Sequence, residues 1–347
     1  MKTKQTTCLL IALLHVLSLR LSAQNTTSVK QKENITFPEL LVFNKEFENY
    51  FSSKNKIEKI VSDKRFLEGP VWVAAIKGLL FTDMNENKIY FWNKKKGLSL
   101  WLEPSGYANG LLLDANGGLL LMQGNHNVTH ETKRQIGKII NPKSNKNITD
   151  FIANYEGKKF NSPNDAAMNS KGILYFTDPP LGLKDGDTDK EKELSFNGVF
   201  KYENGKPKLL IDTLNRPNGI GISPNDKFLY VTNRQNLLCY ELDNNGDIVK
   251  AVNFFDIPQV WEHMVSSTKL GSKGWDGMAV SKEGVVIAAG CGGVWFFSPK
   301  GILLAHIQTP EFTSNTAIDD KEEYLYWTAG KLPSEKGGSC LYRYKLR

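Results

Sequence analysis

Glu68, Asn109, Asn164, Asn218, Asp276 and Asn315 each carry a side-chain oxygen, and each stands 10 or 11 residues ahead of one of six similar apolar runs. Five of them precede a small or turn-forming residue: Glu68-Gly69, Asn109-Gly110, Asn164-Asp165, Asn218-Gly219 and Asp276-Gly277. A single Asn-Gly or Asp-Gly marks a turn. Six in one register describe a set of oxygens that a repeating fold would bring together on one axis. Such a ring selects a hard cation, because Ca²⁺ takes six to eight oxygen ligands in flexible geometry whereas Zn²⁺ prefers His nitrogen and Cys sulfur. Mg²⁺ fits less well, since it demands a tight octahedron and keeps its waters. Glu68 and Asp276 would offset the charge of a divalent ion. The alternative is that these residues only cap turns where each repeat begins.

The elements that must position them are strands. The runs are G-L-L-F-T-D at 78–83, G-L-L-L-M-Q at 118–123, I-L-Y-F-T-D at 173–178, F-L-Y-V-T-N at 228–233, V-V-I-A-A-G at 285–290 and Y-L-Y-W-T-A at 324–329. Taken from the second residue of each, their spacings are 40, 55, 55, 57 and 39 residues. Each interval holds four short strands with turns, the size of one propeller blade. From residue 57 onward the chain alternates β-branched and aromatic runs with Gly, Asn, Asp and Pro, with no sustained helical period. The expected fold is therefore all-β, a six-bladed β-propeller over 57–347 behind an N-terminal extension at 24–56. The first strand of each blade would line the central channel, which is where the six oxygens fall. Closure needs the ends of the chain to meet, and K-I-E-K-I-V-S at 56–62 alternates well enough to pair beside S-C-L-Y-R-Y-K-L at 339–346. Asp83 and Asp178, late in their runs, are expected to hold their blades together. Trp72, Trp92, Trp295 and Trp327 are expected in blade cores, and His306 in I-L-L-A-H-I is expected to face solvent.

Several motifs in order, E-G-P-V-W at 68–72, N-S-P-N-D at 161–165 with L-Y-F-T-D-P-P at 174–180, R-P-N-G-I at 216–220, and W-D-G-M at 275–278 with G-G-V-W-F-F-S-P at 292–299, resemble the gluconolactonase/senescence-marker-protein-30 family from about residue 57 to the C-terminus. The resemblance implies a six-bladed propeller with one axial divalent cation, held by Glu68, Asn164, Asn218 and Asp276. It also implies that Asn109 lines the substrate pocket. One departure follows that Asn: many bacterial members resemble E-H-G-N-R-R where this chain reads M-Q-G-N-H-N at 122–127, which removes charged groups near the channel mouth and bears on sugar-lactone preference. His126, in the same loop, is a second candidate for substrate contact, with His130 nearby. Opening a lactone needs its carbonyl polarised and a water made nucleophilic, so Asp276 is the expected general base beside a Ca²⁺ cofactor. Trp261 and His263, in the long 253–275 connection, are candidates for a lid.

What precedes residue 24 resembles an export signal: Lys2 and Lys4, an apolar run from Cys8 to Leu19 too short to span a bilayer, and Ala23 as a cleavage position. An uncleaved anchor is the other reading. Removal of residues 1–23 predicts a secreted or periplasmic protein without a membrane span, and the loss of Lys2, Lys4 and Arg20 takes the formal net charge from +7 to +4. The remaining lysines, such as Lys94 to Lys96, read as solvated surface, so nucleic acid is not an expected partner. Cys239, Cys291 and Cys340 leave an odd count after the signal, with no C-x-x-C pair and no G-x-S-x-G elbow. Three functions fit: a Ca²⁺-dependent hydrolase of a small lactone, a metal-dependent hydrolase of aryl esters or organophosphates, and a non-enzymatic propeller that binds a glycan or protein.

Overall fold

The computed structural model describes residues 38–124, 133–234, 236–255, 274–290, 292–309, 311–331 and 338–347. Six antiparallel sheets form six blades. Their first strands are Leu67–Val73, Leu111–Leu113, Ala166–Met168, Pro217–Ile222, Trp275–Val280 and Phe312–Ile318, and each blade runs outward from its first strand in chain order, except that blades 5 and 6 take their outermost strands from the N-terminal segment. Neighbouring first strands touch in cyclic order, the sixth meeting the first. The chain is thus a six-bladed β-propeller.

The six apolar runs are the second strands, and burial explains why they read as continuous rather than alternating. Each is covered on both faces by adjacent blades. Leu79 and Phe81 pack toward blade 6 while Leu80 packs toward blade 2. In blade 3, Leu174 and Phe176 face one neighbour and Ile173 and Tyr175 the other. Six inter-blade clusters replace a single core, and each fully buried large side chain in them contributes about 1.5–3 kcal/mol. Trp295 and Trp327 are fully enclosed, and Trp92 nearly so; Trp72 is only half-buried, stacked on Tyr326.

The last blade is closed by the N-terminal strand Ile57–Lys64, antiparallel to Ser339–Lys345, with Ile57 opposite Tyr344 and Lys64 opposite Ser339. Arg343 clamps the junction by donating from Nε to Glu58 Oε2 at 2.5 Å. Upstream, Glu39–Val42 adds a fifth strand to blade 5, pairing with Leu303–Gln308, and the short helix Phe47–Tyr50 sends Phe47 against Phe296. This second docking overturns the expectation for His306. The strand that carries it is not an edge: Leu41 lies opposite His306, whose ring is 2% exposed and stacks on Trp295 at 3.6 Å. Burial pushes the imidazole down to about 3, so it stays neutral. No described helix is long and apolar enough to cross a membrane.

Candidate functional site

All six ring positions lie where a first strand begins and at a break in its ladder. Asp276 and Gly277 together stand opposite Ala289, and Asn218 and Gly219 opposite Thr232, because the register slips between Trp275 and Met278 and between Pro217 and Ile220. The same slip follows Glu68 in blade 1 and falls between Thr313 and Asn315 in blade 6. In blades 2 and 3, Asn109 and Gly110 share Met122 through backbone hydrogen bonds, and Asn164 and Asp165 share Thr177. Two residues against one is a β-bulge, which re-aims side chains and leaves a carbonyl outside the ladder. A strict alternation could not turn these groups onto the axis.

The freed carbonyls are held by the next blade back. Thr82 Oγ1 donates to the Asn109 carbonyl at 3.0 Å, Thr177 to Asn218 at 2.6 Å and Thr232 to Asp276 at 2.7 Å; Ser314 closes the circle on Leu67 at 2.8 Å. The acidic or amide residue after each Thr holds the entry loop of its own blade. Asp83 accepts from the Arg65 and Phe66 amides, Asp178 from those of Asn161 and Ser162, and Asn233 from that of Arg216. Thr-Asp and Thr-Asn are therefore a latch on the ring. The glycines that follow ring residues make room for it: a Cβ on Gly277 would stand 2.1 Å from Asn315 Cγ, and one on Gly110 would stand 2.6 Å from the Asn164 carbonyl.

Glu68, Asn109, Asn164, Asp276 and Asn315 are all buried, with Asn218 half-buried beside them. Asn315 Nδ2 donates to Glu68 Oε2 at 3.3 Å and to Asp165 Oδ2 at 3.4 Å, joining blades 6, 1 and 3 across the axis. Asn218 donates to Asp276. Asp165 was missed by the register count, which took it as a turn residue. Its carboxylate is buried, with Oδ1 accepting from the Ala166 amide at 2.9 Å. The signal available in the sequence was an Asp where blades 1, 2, 4 and 5 carry Gly.

Three buried carboxylates thus share the axial space. Burial pushes Glu68 up to about 8, with the Asp165 charge adding to it, and pushes Asp165 up to about 7. Asp276 is held well above the ordinary carboxylate range by burial first, then by Glu68 and Asp165, with the Asn218 amide opposing. Among the described residues no Lys or Arg pairs with any of them. Asn164 Nδ2 is likewise buried without a hydrogen-bond partner. Buried carboxylates that have no cationic partner and are lined by amides fit a hard divalent cation, whose charge would favour their ionised form. No three His, Cys, Asp or Glu side chains among the described residues form a metal cluster by themselves; the amide oxygens of Asn109, Asn164, Asn218 and Asn315 are the further donors beside the carboxylates. His126, His130, Trp261 and His263 lie outside the described residues, as does the 1–23 segment.

A sequence model described as the SMP-30/gluconolactonase/LRE-like region matches residues 66–331. The chain belongs to this family. It is 33% identical over 287 residues to a gluconolactonase of Zymomonas mobilis, covering 79% of this chain and 78% of that protein. Among solved structures, a Xanthomonas campestris gluconolactonase superposes with a TM-score of 0.72 at 22% identity, covering 89% of this chain and 95% of that one. A calcium-binding protein, regucalcin, from Agrobacterium tumefaciens superposes with a TM-score of 0.61 at 17% identity, covering 82% and 92%. These two share the fold.

Proposed function

We propose that this protein is a divalent-cation-dependent hydrolase that opens a small lactone, with Ca²⁺ as the fitting ion. The observation that carries the reading is the set of buried, unpaired carboxylates on the propeller axis in a chain one-third identical to a gluconolactonase. Glu68, Asn164, Asn218 and Asp276 are the residues that would hold the ion. When bound, the cation supplies Lewis-acid polarisation of the lactone carbonyl. Asp276 accepts the proton of the attacking water, and its carbonyl, anchored by Thr232, fixes its reach. Asn109 orients the substrate by hydrogen bonding, and His126 is proposed as a second substrate contact from its position in the sequence alone. Burial of the ring lowers the local dielectric and strengthens each of these interactions. The chain acts after export, in the periplasm or outside the cell, a reading supported by its N-terminal charge and apolar pattern.

The test is a panel of aldonolactones, simple lactones, aryl esters and organophosphates, assayed on chelated protein and after reloading with Ca²⁺, Mn²⁺ or Mg²⁺. Lactone hydrolysis that requires reloading and exceeds ester hydrolysis supports the proposal. Hydrolysis that persists in chelator, or faster turnover of aryl esters or organophosphates, overturns it.

A further inference from the structure

A groove between blades 1 and 6 lies apart from the axial ring. Glu68 opens the strand Leu67–Val73 and Trp72 nearly ends it, four residues or roughly 13 Å further along. Beyond that end the turns of the two blades enclose a cavity of about 560 Å³, within the roughly 300–1,000 Å³ range of small-molecule sites. Its floor is aromatic, half-buried Trp72 and Tyr324 lying over the buried rings of Tyr326 and Trp92. Trp72 stacks on Tyr326 with centroids 5.9 Å apart and planes 14° from parallel. The Arg343 guanidinium lies between Trp92 and Tyr324, 5.4 and 4.8 Å from their ring centroids, with its charge already met by Glu58.

The rim is charged, and the two signs are unequally engaged. Lys77, Lys94, Lys95 and Lys321 line the groove. None of them forms an ion pair with another described residue. Of the carboxylates beside them, Asp319 is occupied by the Glu323 and Tyr324 amides at 2.7 and 3.1 Å. Asp320 and Glu323 remain as acceptors. Lys94 and Lys95, which in the sequence read as solvated surface, are here gathered with two lysines from elsewhere in the chain around one aromatic-floored space.

We propose that this groove binds an acidic oligosaccharide, a chain of uronic-acid units. The half-buried rings of Trp72 and Tyr324 take the C–H faces of sugar rings, the free ammonium groups meet the carboxylates, and Asp320 and Glu323 accept from hydroxyls. A neutral glycan would leave the lysines without a role, and a nonpolar ligand would leave the whole rim desolvated.

The experiment titrates the full-length protein with a uronic-acid trisaccharide and with a neutral hexose trisaccharide of the same linkage. Calorimetry and tryptophan fluorescence are read with and without chelator. The uronate should bind at least tenfold more tightly than the neutral sugar, equally well in chelator, and without inhibiting lactone hydrolysis. Lys94→Glu combined with Lys95→Glu should weaken the uronate tenfold or more while leaving the neutral sugar and lactone turnover unchanged. Trp72→Phe, which keeps a ring against Tyr326, should weaken both sugars severalfold in a protein that still turns over lactone. No binding at millimolar uronate overturns the proposal, as does equal affinity for the neutral sugar, insensitivity to the lysine changes, or binding that vanishes with chelation and so belongs to the axis.

Discussion

Thr232→Val removes one hydroxyl and adds a methyl of similar size at a position with no solvent exposure, so it changes polarity and leaves packing nearly intact. What it removes is the 2.7 Å hydrogen bond to the Asp276 carbonyl, which the bulge between Trp275 and Met278 has taken out of the ladder. A buried acceptor left without its donor costs about 1–3 kcal/mol. The carboxylate on the same residue then loses its anchor, and partners of this outer kind typically alter metal affinity by roughly 10–100-fold. Urea unfolding in chelator should show the midpoint falling by about 1–3 kcal/mol divided by the slope, with the slope unchanged. Calorimetric titration with Ca²⁺ should show the loss of affinity, and Thr232→Ser, which keeps the hydroxyl, should keep the parental Ca²⁺ affinity while losing about 1 kcal/mol of stability for its buried methyl. A Thr232→Val protein with parental stability and parental Ca²⁺ affinity would refute the idea that neighbouring blades position the ring through these hydroxyls.

Asp276→Asn keeps an oxygen but removes the charge, and turnover at confirmed metal occupancy should fall by roughly a hundredfold or more, whereas Asn109→Ala should act mainly on KM; proton release on a lactone distinguishes them. A chain beginning at residue 66 lacks Ile57–Lys64 and leaves Ser339–Lys345 as an open edge, so it should aggregate or melt well below the full chain; a melting curve like the parent's would place closure elsewhere. Stability in chelator should fall as pH rises from about 5 to about 8. Glu68 and Asp165 have folded values of about 8 and about 7, above the ordinary carboxylate range, so the native state holds protons that the unfolded chain has released across that window. Urea midpoints across that range check it, and saturating Ca²⁺ should flatten the curve.

The ring register and the blade count were legible because each second strand is buried on both faces and so leaves the same uninterrupted apolar mark, as in Leu79–Leu80–Phe81. The closing strand was legible because Ile57, Ile60 and Val61 supply apolar side chains at the start of the domain and Cys340, Tyr342 and Tyr344 form an apolar face on the strand that needs a partner at its end. Asp165 was not, because it stands one residue after the ring register, at the second residue of its bulge, where blades 1, 2, 4 and 5 carry a side-chain-free Gly. His306 failed for a different reason. Alternation reports which side of a strand a residue takes, but not that Glu39–Val42 will dock on that strand and bury both sides. The same limit hid the groove, since Lys77, Lys94, Lys95 and Lys321 become neighbours only when blade 6 closes on blade 1.

The central claim is that the axial oxygens hold one divalent cation, and calorimetric titration of the chelated protein with Ca²⁺ tests it most directly. The account predicts saturable binding of about one ion per chain, lost when Glu68 and Asp276 are both replaced by their amides, together with a rise in melting temperature at excess ion. No heat with Ca²⁺, Mn²⁺ or Mg²⁺, and no shift in melting temperature with any of them, would contradict it.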